Sequence, residues 1–212
     1  MTPSLAHKLP SPLPGFEHIN HYWDGLREMP AAKILPGEFY VTRSDEIITT
    51  VLGSCISVCM HDLSAGVGGM NHFMLPVSKS GGWKGAADPL SAENRYGNFA
   101  MEHMINELLK YGAVRENLEV KVFGGGQVIS QFTHIGEKNI DFIHLYIHEE
   151  KLRLASEDVG GEFARKVVYY PTSGRVRVKK LKLLHNSTVI EREHKYIADI
   201  EKQPVKGDIE LF

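Results

Sequence analysis

The chain is short of several things that would make a function easy to assign. It holds only two cysteines in 212 residues, Cys55 and Cys59, too few for the disulfide framework of a small secreted scaffold. In an extended segment two residues four apart lie roughly 13 Å from each other at ~3.3 Å per residue. A disulfide needs Cα atoms within about 7 Å, so both are expected as free thiols of a reducing compartment. No run approaches the ~20 apolar residues of a membrane span. The N-terminal stretch MTPSLAHKLPSPLPGFEH has four prolines by position 14 and no continuous apolar core, so no secretory signal is expected.

An excess of one charge is lacking too. Lys plus Arg number 24 against 26 Asp plus Glu, a net charge of −2, which makes no bulk electrostatic case for nucleic acid or an anionic membrane. The glycines of FGGG at 123–126 have neither the G-x-G-x-x-G spacing nor a P-loop Lys-Ser/Thr. They are expected as a tight turn that brings backbone close to a neighbouring strand or to substrate. Cys55, Cys59, His61 and His72 lack the compact C-x2-4-C plus His spacing of structural zinc. No metal and no cofactor is expected, and the expected setting is the cytoplasm.

What is present is an ordinary globular composition, 42% hydrophobic and 24% charged, long enough for one self-sufficient core with extensions. Residues 1–32 are rich in Pro, His and Ser and read as an extension, with HINHYW at 18–23 clamped on the surface. Strands are expected at 38–42, 46–52, 55–62 and 67–75, from their β-branched and aromatic content. The last two flank LSAG and form a hairpin. A polar, Gly-rich loop over 77–94 is long enough to be a functional flap.

YGNFAMEHMINELLKYGA, 96–113, sets Phe99, Met101, Met104, Ile105, Leu108 and Leu109 at helical spacing and stops at Gly112. A strand at 118–126 and a helix at 135–152, with Ile140, Ile143, Leu145 and Ile147 as its apolar face, follow. Two or three strands fill 153–181, with PTSG as a hairpin turn. The body therefore spans 33–181 and the charged tail, 182–212, is a peripheral helix or a disordered segment. A strand-rich layered α/β or α+β domain with two main helices results.

Chemistry concentrates around Cys55. The LSAG link sets Cys55 opposite residue 74, within one or two positions, and makes His72 a same-face neighbour at the ~7–8 Å diagonal of a strand pair. A bulge at Gly53 or at Gly68-Gly69 would bring sulfur and imidazole together. An imidazole can take or balance the proton of a thiol of pKa ~8.5 and so prepare it for attack on an acyl centre. Gly53 lets backbone approach a substrate, and the Cys55 N–H is placed to stabilise an oxyanion. Thr49 and Thr50 offer a hydroxyl to orient the imidazole. The same residues also admit a structural explanation, with Cys55 as a small buried hydrophobe and His72 as a satisfied core histidine.

GSCISVCMHD, then GGMNHFMLP, then KVFGGG, then SEDVGGEFARKVVYYPTSGRVRVK, in that order from about Gly37 to Lys180, resemble the chemoreceptor glutamine deamidases, the CheD family of bacterial chemotaxis. The resemblance implies a three-layer α/β/α sandwich. It implies a cysteine nucleophile at Cys55, its base at His72 and, six residues before the cysteine, a threonine at Thr49, with Thr50 the alternative one position on. It also implies hydrolysis of a receptor glutamine to glutamate through a thioester, on the cytoplasmic helices of methyl-accepting receptors, and in some bacteria an association with a CheC-type phosphatase. The extension 1–32, the loop 77–94 and the tail after about 181 depart from the compact family form. A non-catalytic adaptor for receptors or for a CheC-type phosphatase is the alternative, and a cysteine protease or transglutaminase-like acyltransferase would use the same thiol chemistry.

Overall fold

A computed structural model describes residues 8–76, 92–128, 134–181 and 187–202. Among the described residues ten strands and three α-helices follow one another: β1 (Asn20–Asp24), β2 (Met29–Lys33), β3 (Phe39–Thr42), β4 (Ile47–Leu52), β5 (Ile56–Asp62), β6 (Val67–Asn71), α1 (Ala92–Lys110), β7 (Glu119–Gly124), α2 (Ile135–Glu149), β8 (Arg153–Val159), β9 (Ala164–Tyr170), β10 (Arg175–Leu181) and α3 (Ser187–Lys202). The expected flap at 77–94 lies outside the described residues except for its last three, which open α1. No helix among the described residues is long and apolar enough to cross a membrane.

The strands divide into two five-stranded sheets, ordered β1-β2-β4-β9-β10 and β3-β6-β5-β7-β8. β5 is buried at all seven positions, as a central strand covered on both faces must be. The edge strand β8 is exposed over its first five residues. Ile48 and Leu52 of β4 face the second sheet and share one core with Tyr40, Ile56, Met60, Met70 and Tyr169. On the far face of that second sheet α1 lies over β3 and β6, and α2 over β5 and β8.

The α/β class therefore stands: two mixed five-stranded sheets, with α1 and α2 lying over the second. The N-terminal segment adds two strands, β1 and β2, to the first sheet. Residues 16–33, expected as extension and surface clamp, belong to the body. Phe16 is 3% exposed and packs edge-on against Phe39 and Tyr40 at centroid distances of 5.2 and 5.3 Å. Ala31 and Ala32 of β2 are fully buried.

α1 buries Met101, Met104, Ile105 and Leu108, while Phe99 stays 49% exposed. Gly112 ends it at φ +97°, a conformation that favours glycine. In α2 the buried face is Phe142, Ile143, Tyr146 and Ile147 with Asn139, rather than the expected set containing Leu145. Two aromatics displace the aliphatic stripe because they reach further into the core.

One buried carboxylate pins the β5–β6 hairpin. Asp62 accepts hydrogen bonds from the N–H of Ser64 (2.9 Å) and Ala65 (3.2 Å), from the Ser64 hydroxyl, from Val114 N–H (2.9 Å) and from Asn117 Nδ2 (3.3 Å). Burial alone would raise its pKa, but these donors hold it well below the usual carboxylate range. A depressed folded pKa stabilises fully above the unfolded value of about 3.9 and loses that contribution as pH falls toward the folded one. Asp62→Asn is expected to cost about 1–3 kcal/mol in urea unfolding at pH 7, with the deficit shrinking below pH ~4. A deficit that stays constant down to pH ~3 would show that the charge is not what stabilises the hairpin.

Candidate active site

The turn Gly53-Ser54-Cys55 carries the chain from β4 in one sheet to β5 in the other. Its carbonyls are all engaged. Gly126 N–H donates to Gly53 O and Gly125 N–H to Cys55 O, each at 2.8 Å. Asn139 Nδ2 donates to Ser54 O at 2.8 Å. The close approach of FGGG explains its glycines: a Cβ on Gly124, at φ +114°, would fall 2.1 Å from Cys55 O. The tight backbone approach expected of this motif is what it makes.

Asn139 is fully buried, and its Oδ1 accepts Leu75 N–H at 2.8 Å. One amide on α2 therefore ties the cysteine turn to the strand extension that carries His72. Its only local mark is that of a polar residue among apolar ones.

The hairpin register matches its expectation. Ile56 pairs with Phe73 through two 2.9 Å hydrogen bonds, which puts Cys55 opposite Met74 and makes His72 its diagonal neighbour. His72 is 2% exposed, and its backbone is held by Glu38 O and Gly37 N–H at 2.9 and 2.7 Å.

The threonine that reaches the imidazole is Thr50, whose Oγ1 lies 2.8 Å from His72 Nδ1. Thr49, the residue implied by the family spacing, points to the other face of β4, with its Oγ1 3.2 Å from the Tyr22 hydroxyl and 3.4 Å from Ala32 O. Strand alternation is the cause: Ile48, Thr50 and Leu52 look toward the second sheet, and Thr49 looks away.

Thr50 also fixes the tautomer. Its single hydroxyl proton goes to Ile34 O at 2.9 Å, so toward the imidazole it must accept, from Nδ1–H. Nε2 then carries the lone pair, and it is buried with no hydrogen-bond partner among the described residues. A base nitrogen is held ready and unused.

The fourth element comes from α3. Glu193, 2% exposed, accepts Gly53 N–H (3.0 Å) and Cys55 N–H (3.2 Å) on Oε1 and the Ser54 hydroxyl (2.7 Å) on Oε2. The two backbone donors converge on a single oxygen beside the thiol, the geometry of an anion or oxyanion cradle. Any side chain at Gly53 would block it, since a Cβ there would sit 2.6 Å from Glu193 Oε1 and from Val128 Cγ2.

Burial pushes the Cys55 thiol well above its ordinary pKa, and the Glu193 carboxylate pushes it further the same way. Burial lowers His72 to about 3. Both groups are therefore neutral at physiological pH. Cys59 is buried mid-strand opposite Met70 and Lys121. Among the described residues no three His, Cys, Asp or Glu side chains converge as metal ligands.

A buried thiol, a neutral imidazole with a free Nε2 and paired backbone donors are the parts of a thiol-dependent acyl-transfer centre. The family description "CheD chemotactic sensory transduction" matches residues 74–180. A protein of Halorhodospira halophila is 55% identical over 208 residues, covering 96% of this chain and 94% of its own. One from Hahella chejuensis is 49% identical over 211 residues, 98% and 99% of the two chains. A third, from Hydrogenovibrio crunogenus, is 55% identical over 180 residues, 85% and 93%. Each is named "Probable chemoreceptor glutamine deamidase CheD". The chain belongs to the CheD family. Among solved structures, a Neisseria meningitidis protein of the DUF152 family model overlaps 63% of this chain and 64% of its own at TM-score 0.38 and 10% identity, too distant a likeness to bear on function.

Nitrogen-detected NMR of the histidine rings tests this geometry. His72 is expected to stay neutral from pH 8 to 4 in the Nδ1–H tautomer. Thr50→Val should relax that tautomer preference and Thr49→Val should leave it. The reverse pattern would remove Thr50 as the group that orients His72.

Proposed function

We infer that this chain is a chemoreceptor glutamine deamidase in which Cys55 is the nucleophile, His72 the base and Thr50 the group that orients the base. The observation that carries this is the convergence of the Gly53 and Cys55 N–H groups on one oxygen beside the sulfur. Family membership names the reaction, and the geometry supports these roles.

The γ-carboxamide oxygen of a substrate glutamine takes the place between those two donors. His72 Nε2 removes the thiol proton as the sulfur attacks the amide carbon, and the resulting oxyanion is held by hydrogen bonds that need no reorganisation. The imidazolium returns its proton to the nitrogen, the C–N bond breaks and ammonia leaves. A water then loses a proton to Nε2 and attacks the thioester. The C–S bond breaks, the thiol is restored, and glutamate is released. Throughout, Thr50 keeps Nδ1–H occupied, so that Nε2 is always the nitrogen that trades protons. The missing Cys55–His72 hydrogen bond is compatible with this role, because catalytic contacts often tighten only on substrate binding.

The substrates under this reading are helices of chemoreceptors. A CheC-type phosphatase is a further partner, and the setting is the cytoplasm. The deep burial of Cys55 favours a second function, a non-catalytic adaptor that binds receptors without turnover.

Ammonia release from purified receptor fragments separates the two. Cys55→Ala is expected to abolish release without loss of fold, and His72→Ala to lower it by ~10²–10⁴-fold. Thr50→Val should fall between His72→Ala and Thr49→Val. Release no higher than background from wild type and Cys55→Ala alike would leave only the adaptor, and release by Cys55→Ala equal to an active wild type would remove Cys55 as the nucleophile. A loss under about tenfold in His72→Ala would remove that residue as the base.

A further inference from the structure

α3 is amphipathic, and its inward stripe runs Val189, Glu193, the half-buried Tyr196 and Ile200, the i, i+4, i+7, i+11 spacing of a helix face laid on a surface. Val189 packs with Val128 and Ala164. The Tyr196 ring lies against Gly37, 3.0 Å from where a Cβ would sit, and its hydroxyl meets that of Tyr96. In the middle of this otherwise hydrophobic or aromatic stripe stands a carboxylate. A charge on the buried face costs desolvation unless every lone pair finds a donor, and the donors Glu193 finds are those of the candidate oxyanion cradle.

The side chain in the cradle is chemically the product of the reaction. Glutamate differs from glutamine only in the atom that replaces the amide nitrogen. Oε1 takes both backbone N–H groups and Oε2 takes the Ser54 hydroxyl. That hydroxyl can equally accept from an amide NH2, so the cradle suits either form of the side chain. With α3 in place Cys55 is fully buried and both backbone donors are taken by Glu193 Oε1. A substrate amide oxygen cannot occupy those two donors while the carboxylate holds them.

We propose that α3 is an internal product mimic, a helix that presents Glu193 as a receptor helix presents the glutamate it has just gained, and that substrate must displace it. This rests on the deamidase function for the meaning of "product", though the occlusion of Cys55 does not. The docked carboxylate also opposes ionisation of the thiol it touches, so the capped enzyme is closed both sterically and electrostatically. Ser54 acquires a role as well, holding the second atom of the side-chain head group.

The test uses the full chain and iodoacetamide as a probe of Cys55. Glu193→Ala, which empties the cradle, and Val189→Asp, which loosens the helix without touching it, are each expected to speed Cys55 alkylation at least about tenfold, as for a site freed from a dominant closed state. Both should also speed ammonia release from receptor fragments. Alkylation unchanged or slower in both variants, with circular dichroism unchanged, would make Glu193 a structural clamp and overturn the proposal. Faster alkylation with no Cys55-dependent ammonia release in any variant would keep the cap and end the deamidase function. Glu193→Gln is expected to return to glutamate at position 193 by mass spectrometry, and to remain an amide when combined with Cys55→Ala. An amide retained at 193 in enzyme that still deamidates receptor fragments would show that the helix does not present its side chain in the product's place.

Discussion

The backbone polarity of one turn governs the site. Gly53, Ser54 and Cys55 cross from sheet to sheet with all three carbonyls committed, to Gly126, Asn139 and Gly125. Leaving any of them unpaired would cost about 1–3 kcal/mol, so the turn has little freedom to rotate its peptide groups. With the oxygens fixed, the Gly53 and Cys55 N–H groups emerge together on the opposite side. Glycines 124–126 are what allow the third strand end to come close enough to enforce this. The cradle is thus a by-product of satisfied carbonyls, and its preorganisation is supplied by folding rather than by substrate.

The crossing also explains how residues from three places meet. Thr50 lies on the last turn of pleat before the crossover, Cys55 immediately after it, and His72 on the extension of the strand that pairs with β5. The low dielectric around them keeps both titrating groups neutral, burial raising the thiol and lowering the imidazole. Proton transfer between them is therefore unfavourable until negative charge developing on a substrate oxygen is received by the backbone donors. A resting enzyme of this kind protects its thiol from adventitious chemistry, and the Glu193 contact adds to that protection.

Much of this was legible in the residues. The LSAG link fixed which residues of β5 and its partner face each other, because a short hairpin leaves little choice of register. The G-S-C turn, the histidine and the three glycines were all visible as local patterns. Four things were not. Counting six residues back from the cysteine selects Thr49, but strand parity, which the count ignores, turns the neighbouring Thr50 inward. Asn139 reads as one polar residue on an amphipathic helix, and nothing local marks a buried side chain that bridges two loops. Glu193 lies 138 residues beyond Cys55 in a charged segment whose composition suggests a solvated surface, and only tertiary packing reveals that one of its acids faces inward. The N-terminal strands were hidden in the same way, by prolines and histidines that mask the pairing of β1 with β2 and of β2 with β4.

The account stands on Cys55 forming the bond that is broken to release product. Acid-quenched reactions of the full chain with a receptor fragment, analysed by mass spectrometry, measure this directly. An adduct on Cys55 with the mass of the fragment less ammonia, lost on treatment with hydroxylamine, is the predicted result. The same adduct on Cys59 instead of Cys55, or turnover with no adduct on Cys55, would contradict it.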